Sequence, residues 1–147
     1  MSPRINWPRL IIGAIVAAII LFVTDGLMHE TWLHEDWLAV YNNLRATPPE
    51  ETAVSMIYFA IFELGRGFII LFLYVLMREP FRPGPKTAAL AGVVGWVAFS
   101  LTGPAQFIPL GFFSNALWVK MGAAHLVTSV LAAIAGAALY KNSNGNS

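Results

Sequence analysis

The chain contains no cysteine. That excludes disulfides, iron–sulfur clusters, thiolate metal sites and a cysteine nucleophile, while leaving the compartment open. Charge is scarce as well: Asp, Glu, Lys and Arg make up 12% of the 147 residues, about half the share expected of a soluble domain. With a net charge of +1 and no clustered basic face, the sequence offers nothing to a nucleic acid. It also lacks an internal repeat. Its two halves differ in charge, length and proline placement, which argues against an inverted-repeat transporter.

Apolar residues are what the chain has in abundance, at 57% of the total. A hydrocarbon core about 30 Å thick needs roughly 20 apolar residues in helix. Four segments meet that length, over residues 10–28, 53–77, 87–108 and 115–140. None carries a polar stripe wide enough to face water, and none alternates as a transmembrane strand does. The expected fold is therefore all-α, a polytopic four-transmembrane-helix bundle forming a single domain over residues 1–141, with a disordered polar tail over 142–147. Arg4 and Arg9 followed by an apolar run resemble a signal peptide, but the run is too long and no small-x-small cleavage signal precedes Asp25. A retained anchor helix is expected.

Lys and Arg in the short loops set the orientation. Arg4, Arg9, Arg78, Arg82, Lys86 and Lys141 fall on one side, and Arg45 and Lys120 on the other. This places both termini on the cytoplasmic side of the membrane. The loop after the first span is acidic, with Glu30, Glu35, Asp36, Glu50 and Glu51. Trp7 and Tyr140 suit one aromatic belt, and Trp32, Trp37 and Trp118 the other.

Within that loop, Trp37, Leu38, Tyr41 and Leu44 recur at helical spacing. They predict a short amphipathic helix lying on the outer interface, stopped by Pro48-Pro49, with Thr47 or Thr52 available as a cap. Between the second and third spans, three prolines and Gly84 predict a tight return. The connection from Gly103-Pro104 to Gly111 is uncharged and broken by Pro and Gly, as a partly re-entrant segment would be. Ala132 and Gly136, and likewise Ala88 and Gly92, lie four apart. Such small-residue faces predict close packing of spans three and four, or an interface with another subunit.

Ionisable groups at membrane depth are costly and turn towards protein. Glu63 and His125 each fall about ten residues into their spans, roughly 15 Å deep. Arg66 shares a face with Glu63 at i, i+3. An intramembrane cluster of Glu63, Arg66 and His125 is expected, with Glu63 meeting His125 across helices. Asp25 and Lys120 are expected as a shallower outer-end pair, with His29 as an alternative partner for Asp25. Ser100, Thr128 and Ser129 are the hydroxyls available to extend the cluster into a relay. A structural lock and a proton relay both fit these residues.

The stretch TDGLMHETWLHEDW (residues 24–37) concentrates four of the eight acids and two of the three histidines. Helical metal motifs place ligands three or four apart, as in HExxH. Here the spacing is HExxxH, one residue too long. A helix ending near Glu30 would still let Asp25, His29 and His34 converge on Zn²⁺ or Cu²⁺. A bis-histidine haem on His29 and His125 is disfavoured by their difference in depth. The simpler reading is an acidic, Trp-flanked helix exit.

The run LYVLMREPFRPGPKTAALAGVVGW (residues 73–96) resembles a motif of small uncharacterised bacterial four-span membrane proteins. The matching residues are Leu73-Tyr74, the loop Phe81-Arg82-Pro83-Gly84-Pro85-Lys86-Thr87-Ala88, then Ala91-Gly92 and Trp96, with Asp36-Trp37 after the first span. The resemblance covers about a sixth of the chain. It implies the fold and a location in a bacterial inner (cytoplasmic) membrane, and no activity.

No complete catalytic constellation is present, so no catalytic residue is assigned and a non-enzymatic role is expected. The leading reading is an accessory subunit or oligomeric scaffold of a membrane complex. A small proton-coupled transporter built on Glu63, Arg66 and His125 is the first alternative, and a metal- or haem-binding redox subunit the second. Expected partners are membrane lipids and other membrane subunits, or self-association through spans three and four. No cofactor is required, and contact with lipid, pigment or quinone stays open.

Overall fold

A computed structural model describes residues 5–47 and 52–140. Arg4, Pro48-Pro49, Glu50, Glu51, Lys141 and the expected polar tail lie outside the described residues. The described chain is all-helical, with no strand. Four of its helical segments are long and apolar enough to cross a membrane: Trp7–Thr31, Ala53–Phe81, Pro85–Ala105 and Asn115–Ala138. The protein is a multi-pass four-helix membrane bundle.

Helix α1 (Trp7–Thr31) starts at Asn6, whose side chain accepts from the Arg9 N–H at 3.3 Å, with Pro8 in the first turn. Both features suit a helix start, since the first N–H groups lack intrahelical partners. Helix α3 (Ala53–Phe81) opens with a reciprocal cap. Thr52 accepts from the Ser55 N–H at 3.2 Å, and Ser55 Oγ accepts from the Thr52 N–H at 3.0 Å. Of the two candidate caps, Thr52 is the one used here. Helix α6 (Asn115–Ala138) is capped by Ser114, which accepts from the Leu117 N–H at 3.1 Å.

The first two spans run longer than hydropathy alone suggests, while the third and fourth end slightly earlier, at Ala105 and Ala138. α3 continues through Pro80 to Phe81 rather than stopping at Met77. Proline sits there in the final turn, where it removes one intrahelical bond without aborting the helix. The chain then reverses within a few residues. Arg82 takes φ 65° and Gly84 φ 151°. Pro85 begins α4 (Pro85–Trp96). The buried Thr87 hydroxyl donates to the carbonyls of Phe81 at 3.2 Å and Arg82 at 2.6 Å, satisfying the end of α3.

The third span is not one regular helix. After α4 it widens into a π-helical turn, Val97–Leu101, and ends in the short α5 (Thr102–Ala105). The carbonyls displaced by the wide turn are satisfied locally. Thr102 Oγ1 donates to those of Val97 and Ala98 at 2.9 and 3.0 Å, and Trp118 Nε1 to that of Leu101 at 3.0 Å. Trp96 Nε1 donates to the Gly122 carbonyl at 2.7 Å, tying α4 to α6.

Close backbone approach dominates the half of the bundle nearest Tyr140. A β-carbon on Gly13 would lie 2.6 Å from the Gly136 carbonyl oxygen, and one on Gly136 would lie 2.5 Å from that of Gly13. Only glycine permits this α1–α6 contact. Gly92 of α4 is as tightly placed, with the Ser129 carbonyl oxygen 2.7 Å from where its β-carbon would be. The expected close packing of spans three and four is present through Gly92. Gly136, however, faces α1 rather than α4. Both small-residue faces are therefore covered inside the chain. Around them pack Leu10, Leu21, Ile70 and Leu71, all essentially inaccessible.

At the other end, α2 (His34–Asn43) folds back over the bundle instead of lying apart from it. Leu33 and Val40 are buried with Leu117 and Met121 of α6, and Trp37 packs on this group. The expected amphipathic helix exists, and its apolar side is spent on the bundle end.

Candidate functional site: an ionic cluster inside the bundle

Five polar side chains drawn from all four spans, the third through its π-helical turn, meet in the half of the bundle nearer α2. Arg66 of α3 is at the centre. Its Nη1 donates to Asp25 Oδ2 of α1 at 2.7 Å and to Glu63 of α3 at 2.7 Å (Oε1) and 3.0 Å (Oε2). Its Nη2 reaches Ser100 Oγ at 3.4 Å. Ser100 lies in the π-helical turn. His125 of α6 completes the group, with Nε2 3.5 Å from Asp25 Oδ1. The Arg66 and Glu63 side chains are 5% and 7% exposed, and Asp25 and His125 15% and 12%. Burial of a lone ion costs several kcal/mol even after relaxation, so each needs a partner and hydrogen bonds. Here the guanidinium is shared by two carboxylates, a use suited to its fork of five donors.

Each predicted residue can now be placed. Glu63 and Arg66 pair at i, i+3 as expected. His125 reaches the same cluster, but through Asp25, and no ion pair joins it to Glu63. The expected Asp25–Lys120 pair does not form. Asp25 lies a turn and a half inside the end of α1, deep enough to meet Arg66. Lys120 stays near the start of α6, where the fold-back of α2 sets Asp36 above it, and Nζ donates to Asp36 Oδ2 at 2.7 Å. The missing information was the path of the loop, which depth along separate helices cannot supply.

The candidate metal ligands Asp25, His29 and His34 are not brought together. The Asp25 carboxylate belongs to Arg66. His29 Nδ1 donates to the backbone carbonyl of Asp25 at 2.8 Å, and the ring stacks on Trp37 with centroids 5.5 Å apart. α1 does end close to Glu30, at Thr31, but His34 starts α2 with its side chain exposed. Among the described residues no group of three His, Asp or Glu is placed to hold a metal ion.

Of the relay hydroxyls, Ser100 joins the cluster directly. Thr128 Oγ1 donates to the His125 carbonyl at 3.3 Å. Ser129 Oγ, one turn beyond His125, is fully enclosed without a hydrogen-bond partner. The arrangement can do two things chemically: pin helices through charge, and hold a proton between carboxylates and an imidazole. A comparison of the chain with family models, with curated proteins and with solved structures finds no match.

Proposed function

We propose that the chain is a small non-enzymatic subunit or scaffold of a bacterial inner-membrane assembly, with both termini cytoplasmic. The observation that supports this most is the closed interior. Among the described residues, the charged groups inside the bundle find partners within the chain, and the glycine faces are covered by its own helices. What remains outside is a face of large apolar side chains. On α3 it includes Tyr58, Phe59, Ile61 and Phe62, each at least 59% exposed. Such a surface suits lipid or the transmembrane helices of a partner, and the Trp7–Phe72–Phe68 stack offers flat apolar contacts to a quinone or pigment. Since Gly92 and Gly136 are already occupied, self-association would use the larger exposed residues of α4 and α6, such as Val94 and Val127. The orientation is supported by Arg9, Arg78, Arg82 and Lys86, which gather at the Tyr140 end. The Phe81–Ala88 loop adds its resemblance to small bacterial four-span proteins.

The test is purification in mild detergent followed by mass spectrometry. Partner subunits or a defined oligomer should accompany the chain. A monodisperse monomer with no companion contradicts the proposal.

A second reading, a proton-coupled carrier, is favoured by the convergence of Asp25, Glu63, Arg66 and His125 from α1, α3 and α6. Its measure is pH-driven flux in proteoliposomes. Flux that Glu63→Gln leaves unchanged ends that reading.

A further inference from the structure

We propose that the contact between Asp25 and His125 is a proton-binding site, holding the one proton that neutralises the buried cluster and latching α1 to α6 through it. This does not rest on the carrier reading, since a held proton requires no flux.

The first observation is charge. Two carboxylates, Asp25 and Glu63, share the single guanidinium of Arg66. Among the described residues, no side chain besides Arg66 and His125 is ion-paired to either carboxylate. On α1, His29 has its Nδ1 engaged by the Asp25 carbonyl. The π-helical turn offers only the Ser100 hydroxyl. On α6, Lys120 is turned towards Asp36 of α2. Without one more positive charge, the cluster would bury a net negative charge among apolar helices, which is strongly disfavoured.

The second observation is geometric and independent of that count. Asp25 Oδ2 is taken by Arg66, while Asp25 Oδ1 and His125 Nε2 are fully enclosed and have no hydrogen-bond partner of their own. These two free atoms lie 3.5 Å apart, at the outer edge of hydrogen-bonding distance, so a shift of a few tenths of an ångström joins them. Nδ1 of the same ring is enclosed and unpartnered too. With the ring's own proton on Nδ1, the additional proton that the charge count requires lies between Nε2 and Oδ1 and completes both of those atoms. It has two positions. On Nε2 it gives an imidazolium facing a carboxylate. When the N–H bond breaks and an O–H bond forms on Oδ1, the pair becomes an imidazole facing a carboxylic acid. The total charge and the atoms are the same in both, so the proton exchanges without exposing a net charge to the membrane interior.

The test uses the full chain in lipid nanodiscs at neutral pH. Nitrogen-15 histidine spectra, assigned by difference with His125→Gln, report the imidazole, and the infrared carbonyl region reports carboxylic acid. The wild type should show either a doubly protonated His125 or one carboxylic acid per chain. Asp25→Asn should abolish both signals. His125→Gln should force the proton onto a carboxylate, giving a carboxylic acid band that the Asp25→Asn/His125→Gln double variant lacks. A neutral His125 with every carboxylate ionised in the wild type overturns the proposal, and so does a spectrum that changes with sodium at fixed pH, which would make a metal cation the neutralising charge. If Asp25→Asn does not fold, the wild-type and His125→Gln spectra decide the question alone.

Discussion

The two halves of this bundle are held by different forces. Towards Tyr140 the helices meet at Gly13, Gly92 and Gly136, with backbones in contact and alanines filling the seams. Towards α2 they meet through Asp25, Glu63, Arg66, Ser100 and His125. In water both regions would be aided by the hydrophobic effect. In lipid the surrounding chains are as apolar as leucine, so association relies on close packing and on polar contacts. The protein uses one solution in each half. Close packing is intolerant of added volume but indifferent to charge. The ionic half depends instead on each buried charge keeping its partner.

That contrast can be broken from either side. The largest effect is expected for Gly136→Leu, because the Gly13 carbonyl and the Leu71 side chain already stand where a β-carbon would go. The variant should fail to give a monodisperse folded protein in size-exclusion chromatography, whereas Gly26→Leu, with open space around it, should be tolerated. Next comes Arg66→Leu. It leaves Asp25 and Glu63 buried without a counter-charge and should cost about 3–5 kcal/mol, read by denaturation in mixed micelles. Thr52→Ala removes one half of the cap on α3 and should cost about 1 kcal/mol. The smallest effect is expected for Lys120→Gln. Its pair with Asp36 is 42% and 27% exposed, and such pairs contribute about 0–1 kcal/mol. If Lys120→Gln proved as damaging as Arg66→Leu, the distinction between an interior cluster and a peripheral pair would collapse.

Much of this architecture was legible in the sequence, and the exceptions share a cause. Hydropathy located all four spans because a helix solvated by lipid must be apolar along its length. The i, i+3 spacing identified Glu63 and Arg66, and counting turns brought His125 close to the same level. What could not be read was tertiary. Asp25 joined Arg66 instead of Lys120 because α2 folds back and offers Asp36 to Lys120. The π-helical turn that presents Ser100 to Arg66 breaks the 3.6-residue period on which sequence reading depends. Gly136 was correctly marked as a packing residue, but four-residue spacing says which face is small, not which helix it meets. A signal for the Asp25–Arg66 contact was nonetheless present. Asp25 and Arg66 are opposite charges carried inside consecutive spans, where ionisable groups turn towards protein.

The central claim is that Arg66 binds Asp25 across helices as the main ionic tie between α1 and α3. A double-mutant cycle with Asp25→Asn and Arg66→Gln, measured by reversible unfolding in micelles, tests it most directly. The account predicts that the two losses are strongly non-additive, with a coupling of about 1 kcal/mol or more. Losses that simply add, to within about 0.5 kcal/mol, would show that the two side chains do not act together and would contradict the clasp.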